Sequence, residues 1–251
     1  MKKVLAFDLD DTLAISKSPV SDRMAGILVR LLDHFEVCVI SGGRFEQFVV
    51  QIVERLEASP LQLRKLHLMP TCGTRYYRYD EVAGKWVLQY AEDLSSAQKQ
   101  RIIRAFEEEA AAMDLKNEQT WGPLIEDRFS QVSYSILGQQ APADEKRRWN
   151  EAHFELKKTL CDRVAERLPD LEVRLGGMTT IDVTRLGIDK AYGMQKLMGV
   201  LEVSKDDVLF FGDKLQEGGN DYPVKALGVD CLEVSRWEDT ALALEAILHV
   251  L

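Results

Sequence analysis

Apolar positions recur along the chain in two rhythms, and the places where they change set the domain plan. Val4-Leu5-Ala6-Phe7 is a short continuous apolar run, as a strand buried on both faces requires. Met24, Ile27, Leu28, Leu31 and Leu32 follow at helical spacing. Val37-Cys38-Val39-Ile40 is a second compact run, ending at Ser41-Gly42-Gly43. Phe45, Phe48, Val49, Ile52, Val53 and Leu56 then form the clearest amphipathic stripe in the protein. Leu66-His67-Leu68-Met69 is a third short strand, stopped by Pro70. This βαβαβ order predicts a parallel sheet with right-handed crossovers.

The middle of the chain changes character. Arg75–Tyr79 and Lys85–Leu88 flank a turn at Asp80 to Gly84 and predict a hairpin. Ser95 opens a helix with Gln98 at capping-box spacing, and Ile102, Ile103, Phe106 and Met113 line one face of it. Strands are predicted near Leu124–Phe129, Val132–Leu137, Leu171–Leu175 and Thr179–Val183, around a long helix carrying Trp149, Leu156, Leu160, Val164 and Leu168. Strand pairs with two helices predict an α+β module over residues 79–185, inserted into an α/β core made of 1–78 and 186–251. The last part resumes the earlier rhythm: a helix over Ile188–Val200, a buried strand Val208–Phe211 and a terminal helix over Thr240–Leu251.

Bulk properties narrow the function. With 251 residues and 46% hydrophobic content, the chain can bury a large core. A net charge of −9 argues against a general nucleic-acid binder, so an anionic substrate must be captured by a local positive site. Cys38, Cys72, Cys161 and Cys231 show neither metal-ligand spacing nor a disulfide framework, which predicts a reducing, cytoplasmic setting. The apolar residues after Met1-Lys2-Lys3 are too few for a signal peptide, and no run is long enough to cross a bilayer, so no membrane partner is expected.

The chemistry concentrates at strand ends. Asp8, Asp10 and Asp11 fall within four residues directly after the first apolar run, with Thr12 next. Clustered carboxylates repel one another unless a cation sits among them, and Mg²⁺ held by few carboxylates plus a substrate phosphate suits this pattern. The plainer alternative is a set of helix-capping residues. Gly212-Asp213 ends another buried strand, and Gly218-Gly219-Asn220-Asp221 adds an amide and a second acid. Ser41, Gly42 and Gly43 offer a hydroxyl and free N–H groups for phosphate oxygens, and Lys190 could bring the positive charge a phosphate among carboxylates requires. Taken singly, these stretches also suit ordinary turns and a surface lysine.

Together the four stretches resemble the haloacid-dehalogenase-like (HAD) phosphohydrolase superfamily. The segments Gly42–Glu46, Gly176-Gly177 with Thr180 and Asp182, Asp189–Tyr192 and Val208–Lys214 with Gly218–Asp221 resemble, more narrowly, the eukaryotic-type phosphomannomutases. The resemblance implies a Rossmann-like parallel-sheet core whose inserted module is a cap domain built on an antiparallel sheet. It implies Asp8 as nucleophile, Asp10 as acid and base, Ser41 and Lys190 as catalytic partners, and Mg²⁺ held among Asp8, the Asp10 carbonyl, Asp213 and Asp221. Gly42, Gly43, Arg44, Arg128, Lys146, Thr180, Asp182 and Asn220 would contact substrate. A phosphorylated sugar is the implied substrate, with pairing of two copies through the cap.

Two departures stand out. The family's second phosphate-binding arginine falls on Gln139 and its third near Lys146, and a lysine lacks the planar fork that grips phosphate bidentately. Asp11 stands where the family commonly has glycine. The expectation is therefore a Mg²⁺-dependent sugar-phosphate phosphatase working through a phospho-aspartate. A phosphomannomutase is the alternative, and a phospho-accepting receiver module, disfavoured by the large insertion, stands third.

Overall fold

The computed structural model describes residues 2–115 and 119–251. The chain divides into two compact units, Met1–Ala91 with Asp189–Leu251, and Glu92–Ile188.

The larger unit is laid down as β1 (Val4–Phe7), α1 (Asp22–His34), β2 (Glu36–Ile40), α2 (Phe45–Gln51), α3 (Pro60–Leu63), β3 (Leu66–Met69), β4 (Arg75–Asp80) and β5 (Lys85–Ala91). After the insertion it resumes with α6 (Lys190–Leu201), β10 (Val208–Gly212), α7 (Tyr222–Ala226), β11 (Asp230–Glu233) and α8 (Trp237–His249). Its seven strands run in the order β11-β10-β1-β2-β3-β4-β5, parallel from β11 to β3. The apolar runs alternate between two covered faces, which is why they read as unbroken. Leu5, Phe7, Val37, Val39 and Leu68 pack with Leu28, Leu31 and Leu244 from α1 and α8. Val4, Ala6, Cys38, Ile40 and Phe210 pack with Met194, Leu197 and Val224 from α6 and α7.

The smaller unit contains α4 (Ser96–Ala112), β6 (Ile125–Asp127), β7 (Val132–Ser135), α5 (Ala143–Arg167), β8 (Leu171–Leu175) and β9 (Thr180–Arg185). Its four strands form an antiparallel sheet in the order β6-β7-β9-β8. Val132, Tyr134, Ile181 and Val183 face Ile102, Phe106, Leu160 and Val164 of the two helices. Period two then puts Ser133, Ser135, Thr180 and Asp182 on the opposite face. Ser95 caps α4, and the reciprocal bond with Gln98 is present.

Three features differ from the sequence expectation. The hairpin β4–β5 extends the large sheet, because β4 pairs with β3 through His67↔Arg78 and Leu68↔Tyr77. The expected divisions at 78/79 and 185/186 accordingly lie at 91/92 and 188/189. The stripe from Phe45 to Leu56 is helical only to Gln51, whose carbonyl accepts from the Val20 N–H (2.8 Å); a 3-10 turn follows at Val53–Arg55. The short elements α3, α7 and β11 are too brief to show a periodicity and were not anticipated. No helix among the described residues is long and apolar enough to cross a membrane.

Candidate active site

Three carboxylates and a lysine meet beyond the paired ends of β1 and β10, where ligands of parallel α/β sheets bind. Phe7 lies opposite Phe211 in this pair, and the Asp8 N–H donates to the Phe211 carbonyl (2.9 Å). One oxygen from each of Asp8, Asp213 and Asp221 lies within 4.8 Å of the others. Gly212 makes room for the third: a Cβ there would stand 2.6 Å from Asp221 Oδ2.

Lys190, the first residue of α6, is 1% exposed. Its Nζ donates to Asp8 Oδ1 (2.6 Å) and Asp221 Oδ1 (2.5 Å). Asp221 Oδ2 also accepts from the Lys214 N–H (3.1 Å), and Lys214 Nζ pairs with Asp213 Oδ2 at 2.8 Å. Burial pushes the Asp8 carboxyl well above its usual range; Lys190 opposes the shift and Asp221 adds to it. The two carboxylates hold Lys190 charged against its own burial.

Three acids thus face two ammonium groups, and Asp213 Oδ1 is buried with no hydrogen-bond partner. An unbalanced negative charge and an orphaned buried oxygen fit a hard divalent cation, which takes oxygen ligands. Thr12 Oγ1, also buried and without a partner, is a further oxygen beside this motif.

Asp10 is placed apart from the three-acid group. The turn after β1 sets Asp11 at φ 63°, a left-handed conformation that glycine adopts freely and aspartate tolerates. The Asp10 carboxylate receives the Lys17 N–H (2.7 Å), Gln47 Nε2 (3.2 Å) and Gln51 Nε2 (3.3 Å). Its side chain is therefore not among the clustered acid oxygens, although the sequence set it beside them.

Ser41 follows β2, buried, with Oγ accepting from the Gly43 N–H (3.3 Å). The carbonyls of Ser41 and Gly43 accept from Cys72 and Thr71, so the loop is braced by the turn that follows β3. Arg44 is the N-cap residue of α2 and lies 3.4 Å from Glu46, and Asn220 is exposed in the turn before Asp221.

The remaining expected residues belong to the smaller unit. Arg128 forks onto Glu126 Oε2 (2.8 Å), and Lys146 Nζ donates to the Gln139 carbonyl (3.2 Å). Thr180 and Asp182 lie together beneath Gly176, where a Cβ would come 2.5 Å from Thr180 Oγ1 and 2.6 Å from Asp182 Oδ2. Ser133 Oγ and Asp182 Oδ1, on paired strands, are buried with no hydrogen-bond partner. Gln139 Nε2 donates to the Leu124 and Ser133 carbonyls (3.3 Å each).

Sequence reasoning missed Lys214, Gln47 and Gln51. Lys214 directly follows the Gly212-Asp213 motif and could have been found there. The two glutamines stand four apart on α2, which marks a shared face but says nothing of what it touches.

Comparisons with known proteins bear on the family and the fold. Residues 24–250 match the family model described as eukaryotic phosphomannomutase. A probable phosphomannomutase of Caenorhabditis elegans is 23% identical over 231 residues, covering 90% of this chain and 87% of its own. Among solved structures, an IMP-bound Plasmodium falciparum IMP-nucleotidase superposes with a TM-score of 0.69 at 16% identity, covering 99% of this chain and 68% of its own. A haloacid dehalogenase-like hydrolase from Bacteroides thetaiotaomicron does so at 0.62 and 15%, covering 98% and 100%.

Proposed function

Because the chain belongs to the eukaryotic phosphomannomutase family, we propose that it moves a phosphoryl group between the 1- and 6-positions of a hexose phosphate such as mannose phosphate, with Asp8 carrying the group in transit. One observation supports this above all: the buried Asp8 stands against Lys190, Asp213 and Asp221 at the carboxyl end of β1. The stretch from Asp8 to Thr12 precedes the residues that match the family model, so its role rests on this geometry. The phosphatase expected first from the altered cap yields to the mutase, because the match includes the cap.

An ionised Asp8 oxygen forms the bond to phosphorus as the bond from phosphorus to the ester oxygen breaks. Asp10 gives its proton to the departing oxygen. In the return step the acceptor hydroxyl passes its proton to Asp10 while its oxygen takes the phosphoryl group, and Asp8 leaves as a carboxylate. Lys190 offsets the repulsion between Asp8 and the phosphate dianion. Ser41, with the N–H group of Gly42, holds the transferring oxygens, Gly43 lies beside them, and Arg44 and Asn220 orient the site. Mg²⁺ held by Asp8, Asp213, Asp221 and the Asp10 carbonyl would supply further positive charge beside the phosphoryl group. In the cap, Arg128 and Lys146 supply charge for the sugar's other phosphate, and Thr180 and Asp182 supply hydrogen bonds to its hydroxyls.

A sugar-phosphate phosphatase is kept as the second reading on one observation. The Gln139 amide is engaged by two backbone carbonyls, so this position offers no cationic fork to a phosphate. The two readings separate when the protein is incubated with mannose 1-phosphate, Mg²⁺ and a hexose bisphosphate. Mannose 6-phosphate should form faster than inorganic phosphate, and Asp8→Asn should abolish both. Release of phosphate alone would reverse the order.

A further inference from the structure

Three observations bear on how the Asp10 carboxyl group is held in place. The Asp10 carboxylate takes its two side-chain donors from amides one helical turn apart on α2, Gln47 Nε2 onto Oδ2 and Gln51 Nε2 onto Oδ1. Gln51 is 1% exposed, anchored by a bond from the same Nε2 to the Ser18 carbonyl (2.7 Å), and its Oε1 is buried with no hydrogen-bond partner. Gln47 lies across Gly43, where a Cβ would stand 2.3 Å from Gln47 Oε1 and 2.7 Å from its Cδ.

We propose that Gln47 and Gln51 form an amide cradle that positions Asp10 for proton transfer to and from the sugar oxygens, and that Gly43 lacks a side chain so that Gln47 can reach it. An amide suits this task where a charged partner would not. Its N–H₂ orients the carboxylate by hydrogen bonding and adds no charge beside it. A glutamate at position 47 or 51 would repel the carboxylate and displace it. The glycine pair after Ser41 thus serves two ends: Gly43 offers its N–H to Ser41 Oγ and clears the path of Gln47.

This inference rests on the phosphoryl-transfer reading, and its test separates the two. The bond to a sugar oxygen breaks slowly unless that oxygen is protonated, whereas p-nitrophenolate leaves without help. Gln47→Met and Gln51→Met keep side-chain size and remove the amide. Single-turnover release of the leaving group should fall by about tenfold or more for mannose 1-phosphate, within the range of general acid catalysis. With p-nitrophenyl phosphate it should stay within about twofold, and KM should hold for both esters. Gly43→Ala should reproduce the Gln47→Met pattern on the sugar ester. Gln51 also braces the Ser18 loop, so Gln47→Met carries the test if Gln51→Met fails to fold. Equal losses on both esters, or none on either, overturn the cradle while leaving phosphoryl transfer intact. A wild-type chain that cleaves neither ester defeats the phosphoryl-transfer reading itself.

Discussion

The ammonium of Lys190 stands 2.5 Å from the Oδ1 of Asp221, with both side chains withdrawn from solvent. The same ammonium reaches Asp8 at 2.6 Å, so one cation neutralises two buried acids, one from the end of β1 and one from the start of α7. Removing it leaves both carboxylates uncompensated. Loss of one partner from a buried ion pair costs about 3–5 kcal/mol. Lys190→Met is therefore expected to unfold at markedly lower denaturant concentration and to lose phosphoryl transfer. A variant as stable as the wild type in a urea titration would show that Lys190 is not the centre of this site.

The orphaned Asp213 oxygen leads to a second expectation. A cation that binds only the folded chain stabilises it by mass action, by about 2.7 kcal/mol at a hundredfold excess over Kd. Mg²⁺ should raise the melting temperature relative to a chelator-treated sample, and Asp213→Asn should remove most of that gain. With one acid fewer, Asp213→Asn should itself melt no lower than the wild type in chelator. A Mg²⁺-induced shift that survives Asp213→Asn would place the ion elsewhere.

Much of this arrangement was legible because the relevant residues sit at strand ends, where a change from apolar to acidic marks the end of burial. Val4–Phe7 before Asp8 and Val208–Gly212 before Asp213 are such places, and the two pair directly. Lys190 was legible as a candidate positive charge for a phosphate, but an exposed lysine reads the same way in sequence, and nothing in its surroundings announces burial between two acids. The hairpin at 75–91 was read as a hairpin but assigned to the wrong sheet: local turn chemistry fixes a hairpin, whereas its attachment to β3 depends on contacts such as His67 with Tyr76. The position of the Asp10 side chain was illegible for a related reason. Its donors come from residues 17, 47 and 51, and no period in the sequence joins them.

His67 provides a pH-dependent test of the core. Its ring is fully buried, with Nδ1 2.7 Å from the Tyr76 hydroxyl and Nε2 2.8 Å from Glu36 Oε2. Burial lowers its pKa below the ordinary 6.5, with Glu36 opposing the shift. The unfolded chain then binds this proton more readily than the folded one. The stabilisation is fully present above 6.5 and is lost as pH falls through the lower folded value. Burial works against Glu36, yet its bond with His67 holds it below its ordinary 4.5, so its own loss of stability begins further into acid. Asp8 titrates in the same window with the opposite sign, since burial raises its carboxyl to about 7, so the test is a difference: from about pH 7.5 to pH 5.5 the urea midpoint of the wild type should fall relative to that of His67→Gln, which lacks the titrating ring. Matching slopes for the two proteins would assign the acid sensitivity to other groups.

Gly176 tests the cap without touching the phosphoryl chemistry. Its backbone passes over Thr180 and Asp182, and an added methyl group would lie 2.5 Å from Thr180 Oγ1 and 2.6 Å from Asp182 Oδ2. Contacts that close cannot persist, so both side-chain ends must turn away from their present positions. No positive φ is recorded at Gly176, so the substitution acts through this crowding alone and the strand pair should survive. If Thr180 and Asp182 hold sugar hydroxyls, Gly176→Ala removes binding to the ground state and the transition state alike. KM for mannose 1-phosphate should then rise by about 5- to 20-fold, the equivalent of one or two hydrogen bonds, with kcat nearly unchanged. p-Nitrophenyl phosphate has no sugar hydroxyls and should be hydrolysed with wild-type constants. An equal rise in KM for both esters would show that these two side chains do not read the sugar.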